Sequence, residues 1–95
     1  MKNKELRKYL QYNYKDSVIF NDPEIDKSIV GVSSDNRIVY DADKIVDELT
    51  IDRGLSIDEV FTILNNLILS IDKITIGHPP LIVDFKLKYM YNDFI

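Results

Sequence analysis

The sequence predicts one small α+β domain with the element order α-β-β-α-α-β, a three-stranded, mainly antiparallel sheet packed against helices. Three observations predict it. The block from Ser28 to Leu49 reads as strand, polar turn, strand and helix start, with almost no linker between them. Ser56-Ile57-Asp58-Glu59 opens a long amphipathic helix. Residues 81–91 alternate apolar and polar after His78-Pro79-Pro80, through which no helix continues. A chain of 95 residues holds one modest core. We read residues 1–15 as a basic N-terminal helix or arm and 28–91 as the core.

Residues 3–14 predict the first helix. Leu6, Leu10 and Tyr14 share one face, while Lys4, Arg7, Lys8, Gln11 and Lys15 share the other. Asn21-Asp22-Pro23 interrupts the chain, and residues 21–27 are expected as a polar loop. Ile29–Val32 and Arg37–Tyr40 are the hairpin strands, joined by Ser33-Ser34-Asp35-Asn36, whose Asp and Asn tolerate left-handed backbone. Gly31 inside the first strand marks a bulge or a close packing contact. Asp41 or Asp43 would cap the second helix, with Ile45, Val46 and Leu49 as its apolar edge and Gly54 as its stop. Ser56 and Glu59 then form a capping box for a helix over 57–72. Its stripe, Ile57, Val60, Phe61, Leu64, Leu67, Ile68 and Ile71, is expected to face the core. The last element is a long strand, 81–91, with Val83, Phe85, Leu87, Tyr89 and Tyr91 on one face; Lys86 and Lys88 would guard it as an edge or leave it open to a partner strand.

Composition excludes several classes. The sequence has no cysteine, which removes disulfides and thiolate metal sites. No apolar run approaches a membrane span and the first thirty residues do not resemble a signal peptide, so a cytoplasmic protein without membrane partners is expected. The net charge of −4 is unevenly spread: residues 1–15 carry +4, residues 16–72 carry −9 and residues 73–95 carry +1. An acidic body repels phosphate, which argues against general nucleic-acid binding but leaves a local contact through the arm.

No catalytic constellation stands out, and neither an enzyme nor a cofactor is expected. Asp41 and Asp43, at a strand-to-helix junction with Asp47 one turn on, have the oxygen chemistry for Mg²⁺, but helix capping is the stronger reading. His78 is the only histidine and has no companion ligands for zinc. Gly31, Gly54 and Gly77 are too scattered for a phosphate loop. Two partner-binding groups remain. One is the carboxylate set Asp41, Asp43, Asp47 and Glu48. The other is Leu69, which breaks the polar side of its helix beside Thr62, Asn66 and Ile63 and has the composition of a protein contact, with burial against the preceding helix as the competing reading. For nucleic acid the candidates are Lys4, Arg7, Lys8, Tyr12 and Lys15, with Tyr12 placed to stack on a base.

The run Phe20, Asp22, Pro23, then Ser28-Ile29-Val30-Gly31-Val32, Arg37-Ile38-Val39-Tyr40-Asp41, Asp43-Lys44-Ile45-Val46 and Glu48-Leu49 resembles a family of short uncharacterised proteins of low-GC Gram-positive bacteria and their phages or mobile elements. Ser56–Glu59 and Pro80-Leu81-Ile82-Val83 are similar to its later parts, so the resemblance covers about residues 20–83. Where that family often carries a Tyr-Asn-Thr element, this chain has Asn65-Asn66-Leu67. The resemblance implies a mobile-element context and no mechanism. The function expected is therefore a non-enzymatic modulator that binds a host or phage protein, with a host-defence component such as a CRISPR nuclease as the target class. The alternative is a small nucleic-acid-binding regulator, or an antitoxin-like protein, using the N-terminal arm. A homodimer through the 81–91 edge or the Leu69 face would enlarge the small core.

Overall fold

Residues 3–84 are described by a computed structural model, and the hairpin begins where the sequence places it. Strand β1 (Ile29–Val32) pairs antiparallel with β2 (Ile38–Asp41). The register steps from Ile29 opposite Tyr40 to Gly31 opposite Val39, so a bulge lies at Val30-Gly31. A side chain at Gly31 would meet nothing within 4 Å, so the glycine accompanies the bulge rather than a tight contact. The turn closes through Asn36 N–H to Ser33 C=O at 3.0 Å, and Asn36 adopts the expected left-handed backbone, φ 63°.

The third strand, β3 (Leu81–Val83), lies parallel to β2, with Val39 opposite Leu81 and Asp41 opposite Val83. β2 is thus the central strand of the order β1-β2-β3, and β3 is an edge among the described residues. The connection between β2 and β3 consists of the two helices that cover the sheet, which is how a parallel neighbour is reached. The remainder of the predicted strand, 85–91, lies outside the described residues.

Helix α1 (Asn3–Asn13) buries Leu10 and packs Leu6 against the core, and Tyr14, one residue past its end, packs there as well. The expected loop at 21–27 is instead a 3₁₀-helix, Pro23–Ser28. Its start follows ordinary rules: the Asp22 carboxylate accepts from Glu24 N–H at 3.0 Å, and Pro23 supplies a fixed φ at the first position. This turn delivers Ile25, Asp26 and Ser28 to the interior. Helix α2 (Ala42–Asp47) is capped by Asp41 and runs into a π-helical turn, Glu48–Asp52, closed by Arg53 N–H to Glu48 C=O at 3.3 Å. Helix α3 (Ile57–Ile71) starts at the predicted cap: Ser56 Oγ accepts from Glu59 N–H and donates to the Glu59 carboxylate at 3.0 Å.

One core joins these elements: Leu10, Phe20, Ile25, Ile38, Tyr40, Ile45, Leu49 and Val60. Tyr40 is its largest member, its ring 4.9 Å from that of Phe20 and its hydroxyl accepting from Phe20 N–H at 3.1 Å. Burial raises the Tyr40 phenol far above its ordinary range, with the Phe20 hydrogen bond opposing. Unfolded tyrosine ionises near pH ~10. The stabilisation is therefore complete below that pH and is lost as pH rises toward the folded value. Denaturation across the alkaline range should show stability falling by up to about 1.4 kcal/mol per pH unit above about pH 10. Tyr40→Phe should lack that slope.

Candidate functional site

The proposed acidic set divides. The Asp41 carboxylate accepts from Asp43 N–H at 3.0 Å and serves as the α2 cap. Asp43 and Asp47 are exposed. Glu48 does not belong to this surface and corrects the sequence reading: it is only 8% exposed. It lies between Ile45 and Leu49, the inward residues of α2 and the turn that follows, and helical spacing turns it inward with them, at the side of the 3₁₀-helix. No group of three or more His, Cys, Asp or Glu side chains among the described residues is arranged to hold a metal ion.

Around Glu48 the charges are paired with one exception. Lys27 Nζ lies 3.5 Å from Asp52. Arg53 reaches Glu24 at 2.8 Å and Asp22 at 3.6 Å. Oε2 of Glu48 is sealed from solvent and accepts no hydrogen bond. Desolvation raises the Glu48 carboxyl above its ordinary range; Lys27 opposes the shift, and Asp52, Asp26 and Asp22 add to it.

The N-terminal candidates divide as well. Lys4, Lys8, Tyr12 and Lys15 are exposed, and the Lys15 ammonium lies 5.9 Å from the centre of the Tyr12 ring. Arg7, expected on the solvent face, turns inward. Its Nε and Nη2 donate to the two Asp26 oxygens at 2.7 and 2.8 Å, and Nη2 donates to Phe20 C=O at 2.7 Å. The inward turn has a physical cause: Asp26 is buried by the 3₁₀-helix and needs a cation.

On α3, Leu69, Thr62 and Asn66 are exposed together, with Thr62 donating back to Asp58 C=O at 3.0 Å. The expected core stripe divides into two flanks. Val60 is fully buried, and Leu64, Leu67 and Ile71 pack partly against the core; Ile63, expected beside Leu69, packs there too. Ile57, Phe61 and Ile68 remain 50%, 51% and 45% exposed. Spaced i, i+4 and i+11, they form an apolar ridge bordered by the exposed Asp58, Asn65 and Asp72. Sequence reasoning assigned this ridge to the core. The available signal was width: seven apolar positions make a stripe broader than the contact one small sheet and one short helix can cover. Along the other flank of α3, an open cleft of about 630 Å³ is lined mainly by apolar side chains, including Ile19, Phe20, Leu67 and Ile74.

His78 is exposed, and its backbone rather than its ring is engaged: its N–H donates to Asp16 C=O at 2.6 Å and its C=O accepts from Val18 N–H at 2.8 Å. No helix among the described residues is long and apolar enough to cross a membrane. No protein-family model matches the chain, and comparison with curated proteins and with solved structures finds no match.

Proposed function

We propose that this protein is a non-enzymatic binding module that docks a protein partner through the α3 ridge of Ile57, Phe61 and Ile68. The half-exposed ridge is the observation that carries this reading. Small soluble domains rarely leave three large apolar side chains in line on one helix without a use for them. Burying the remaining half of each is worth about 1 kcal/mol per side chain, and Leu69 beside them extends the contact.

Charge selects the partner. The ridge is bordered by Asp58 and Asp72, and residues 16–72 carry a net −9. The complementary surface is an apolar groove with a basic rim, as on a protein that handles nucleic acid. The same borders disfavour a homodimer through α3, since parallel or antiparallel pairing sets Asp58 and Asp72 against their own kind. The resemblance to proteins of Gram-positive bacteria and their phages supports seeking the partner in such a host.

Capture from host lysate should yield one basic protein at fixed stoichiometry. Phe61→Glu combined with Ile68→Glu should remove it, at a cost of about 2 kcal/mol or more in affinity. Asp43→Lys with Asp47→Lys should slow association and reduce its salt dependence. Tyr12→Ala should change neither. Binding that survives the ridge variant, with the fold intact by circular dichroism, refutes the docking surface.

A further inference from the structure

A second feature stands independently of the α3 ridge. Between the 3₁₀-helix and the π-helical turn lies an open cleft of about 280 Å³, lined by Pro23, Glu24, Lys27, Glu48, Asp52 and Arg53. Three of these side chains are carboxylates and two are cations, so the walls hold one negative charge in excess when all are ionised. Both cations are committed, Lys27 to Asp52, and Arg53 to Glu24 and Asp22. The excess charge therefore falls on Glu48, more than nine-tenths buried, with an oxygen that accepts no hydrogen bond.

From this arrangement we infer that the Glu48 cleft is a binding site for a cationic hydrogen-bond donor, an alkylammonium or guanidinium group. A buried carboxylate without a donor is costly, and a charge-assisted hydrogen bond from an incoming cation, made at Oε1 because Oε2 is closed to solvent, compensates its charge. An anion would meet three carboxylates, and an apolar group would leave the Glu48 charge uncompensated. The cleft lies just below the range of about 300–1,000 Å³ that accepts drug-sized ligands, a scale suited to one side-chain head group. The π-helical turn contributes to the geometry, because its wider loop carries Asp52 and Arg53 to the cleft beside Glu48.

The donor could belong to a free amine or to a lysine or arginine of a polypeptide, and the experiment separates them. The ¹⁵N-labelled full chain is titrated with methylguanidinium chloride, n-butylammonium chloride and the blocked tripeptide acetyl-Gly-Arg-Gly-amide, with sodium chloride at matched ionic strength as reference. Saturable amide shifts confined to residues 24–27 and 48–53 are expected with at least one of these probes. In Glu48→Gln that binding should weaken about tenfold or more, while Asp72→Asn should leave it unchanged. Glu48→Gln removes a buried unpaired charge and keeps the side-chain volume, so the variant should fold at least as well as the parent. Tighter binding of the tripeptide than of the small cations assigns the donor to a polypeptide; the reverse order assigns it to a free amine or guanidine. No saturable shift with any probe, or equal binding by Glu48→Gln, overturns the inference.

Discussion

Arg7→Ala is expected to destabilise the fold by about 3 kcal/mol. The partner it abandons, Asp26, is 2% exposed, and both of its oxygens are bound by the guanidinium. Removing one member of a buried pair strands the other charge, which costs about 3–5 kcal/mol; breaking an exposed pair costs under about 1. The lower end applies because Arg7 retains 19% exposure, through which water can reach the vacated site. Phe20 C=O also loses a donor. In a domain of this size the melting temperature should fall by about 12–24 °C. Arg7→Lys should recover only part, since an ammonium cannot span both oxygens. Replacing both partners, Arg7→Met with Asp26→Leu, should recover most of the loss, because no charge is then left unpaired. Urea denaturation of the four proteins measures this directly. An Arg7→Ala loss below about 1 kcal/mol would mean that the pair behaves as a surface pair.

This ion pair marks where the sequence ceased to be legible. Local rules read well: the hairpin turn at Ser33–Asn36, the bulge at Gly31, the Ser56 cap and the Leu10 stripe each depend on residues within a few positions of one another. Arg7 and Asp26 lie nineteen residues apart. Periodicity places a charged residue beside other charged residues in solvent, and a buried partner far along the chain overrides it. Ile25 was missed for a related reason, since one apolar residue among Pro, Glu, Asp and Lys shows no period from which to infer burial. Glu48 and the α3 ridge share a third cause. Polarity assigned one to the surface and apolarity assigned the other to the core, whereas the finite footprint of a three-stranded sheet decides both. At Leu69 the sequence showed a break in pattern, and its exposure rather than burial against the preceding helix is what the fold decides. The Glu48 cleft was not legible, because it is formed where the 3₁₀-helix meets the π-helical turn, and neither was predicted.

The three glycines should rank by what a methyl group would meet. Gly77 has φ +85°, and a Cβ there would lie 2.5 Å from the backbone oxygen of Asp16. That oxygen also accepts the His78 N–H, in the bridge that joins residues 16–18 to the loop before β3. The next residues are held in turn by Arg37, which donates to Pro79 C=O at 2.9 Å and Pro80 C=O at 3.2 Å. Backbone cannot yield as a flexible side-chain tip would, so Gly77→Ala should cost about 2–4 kcal/mol, combining left-handed strain with overpacking. Gly54 has φ +67° with open space around its Cβ position, and Gly54→Ala should cost about 1 kcal/mol from backbone strain alone. Gly31→Ala meets neither obstacle and should change stability by less than about 0.5 kcal/mol. Thermal denaturation of the three variants tests the order. If Gly77→Ala is no worse than Gly54→Ala, the close approach at Asp16 does not constrain the fold. If it is much worse, hydrogen exchange should show protection lost first at Val18 and His78, the two amides of the bridge, because the added methyl displaces the strand segment that they hold.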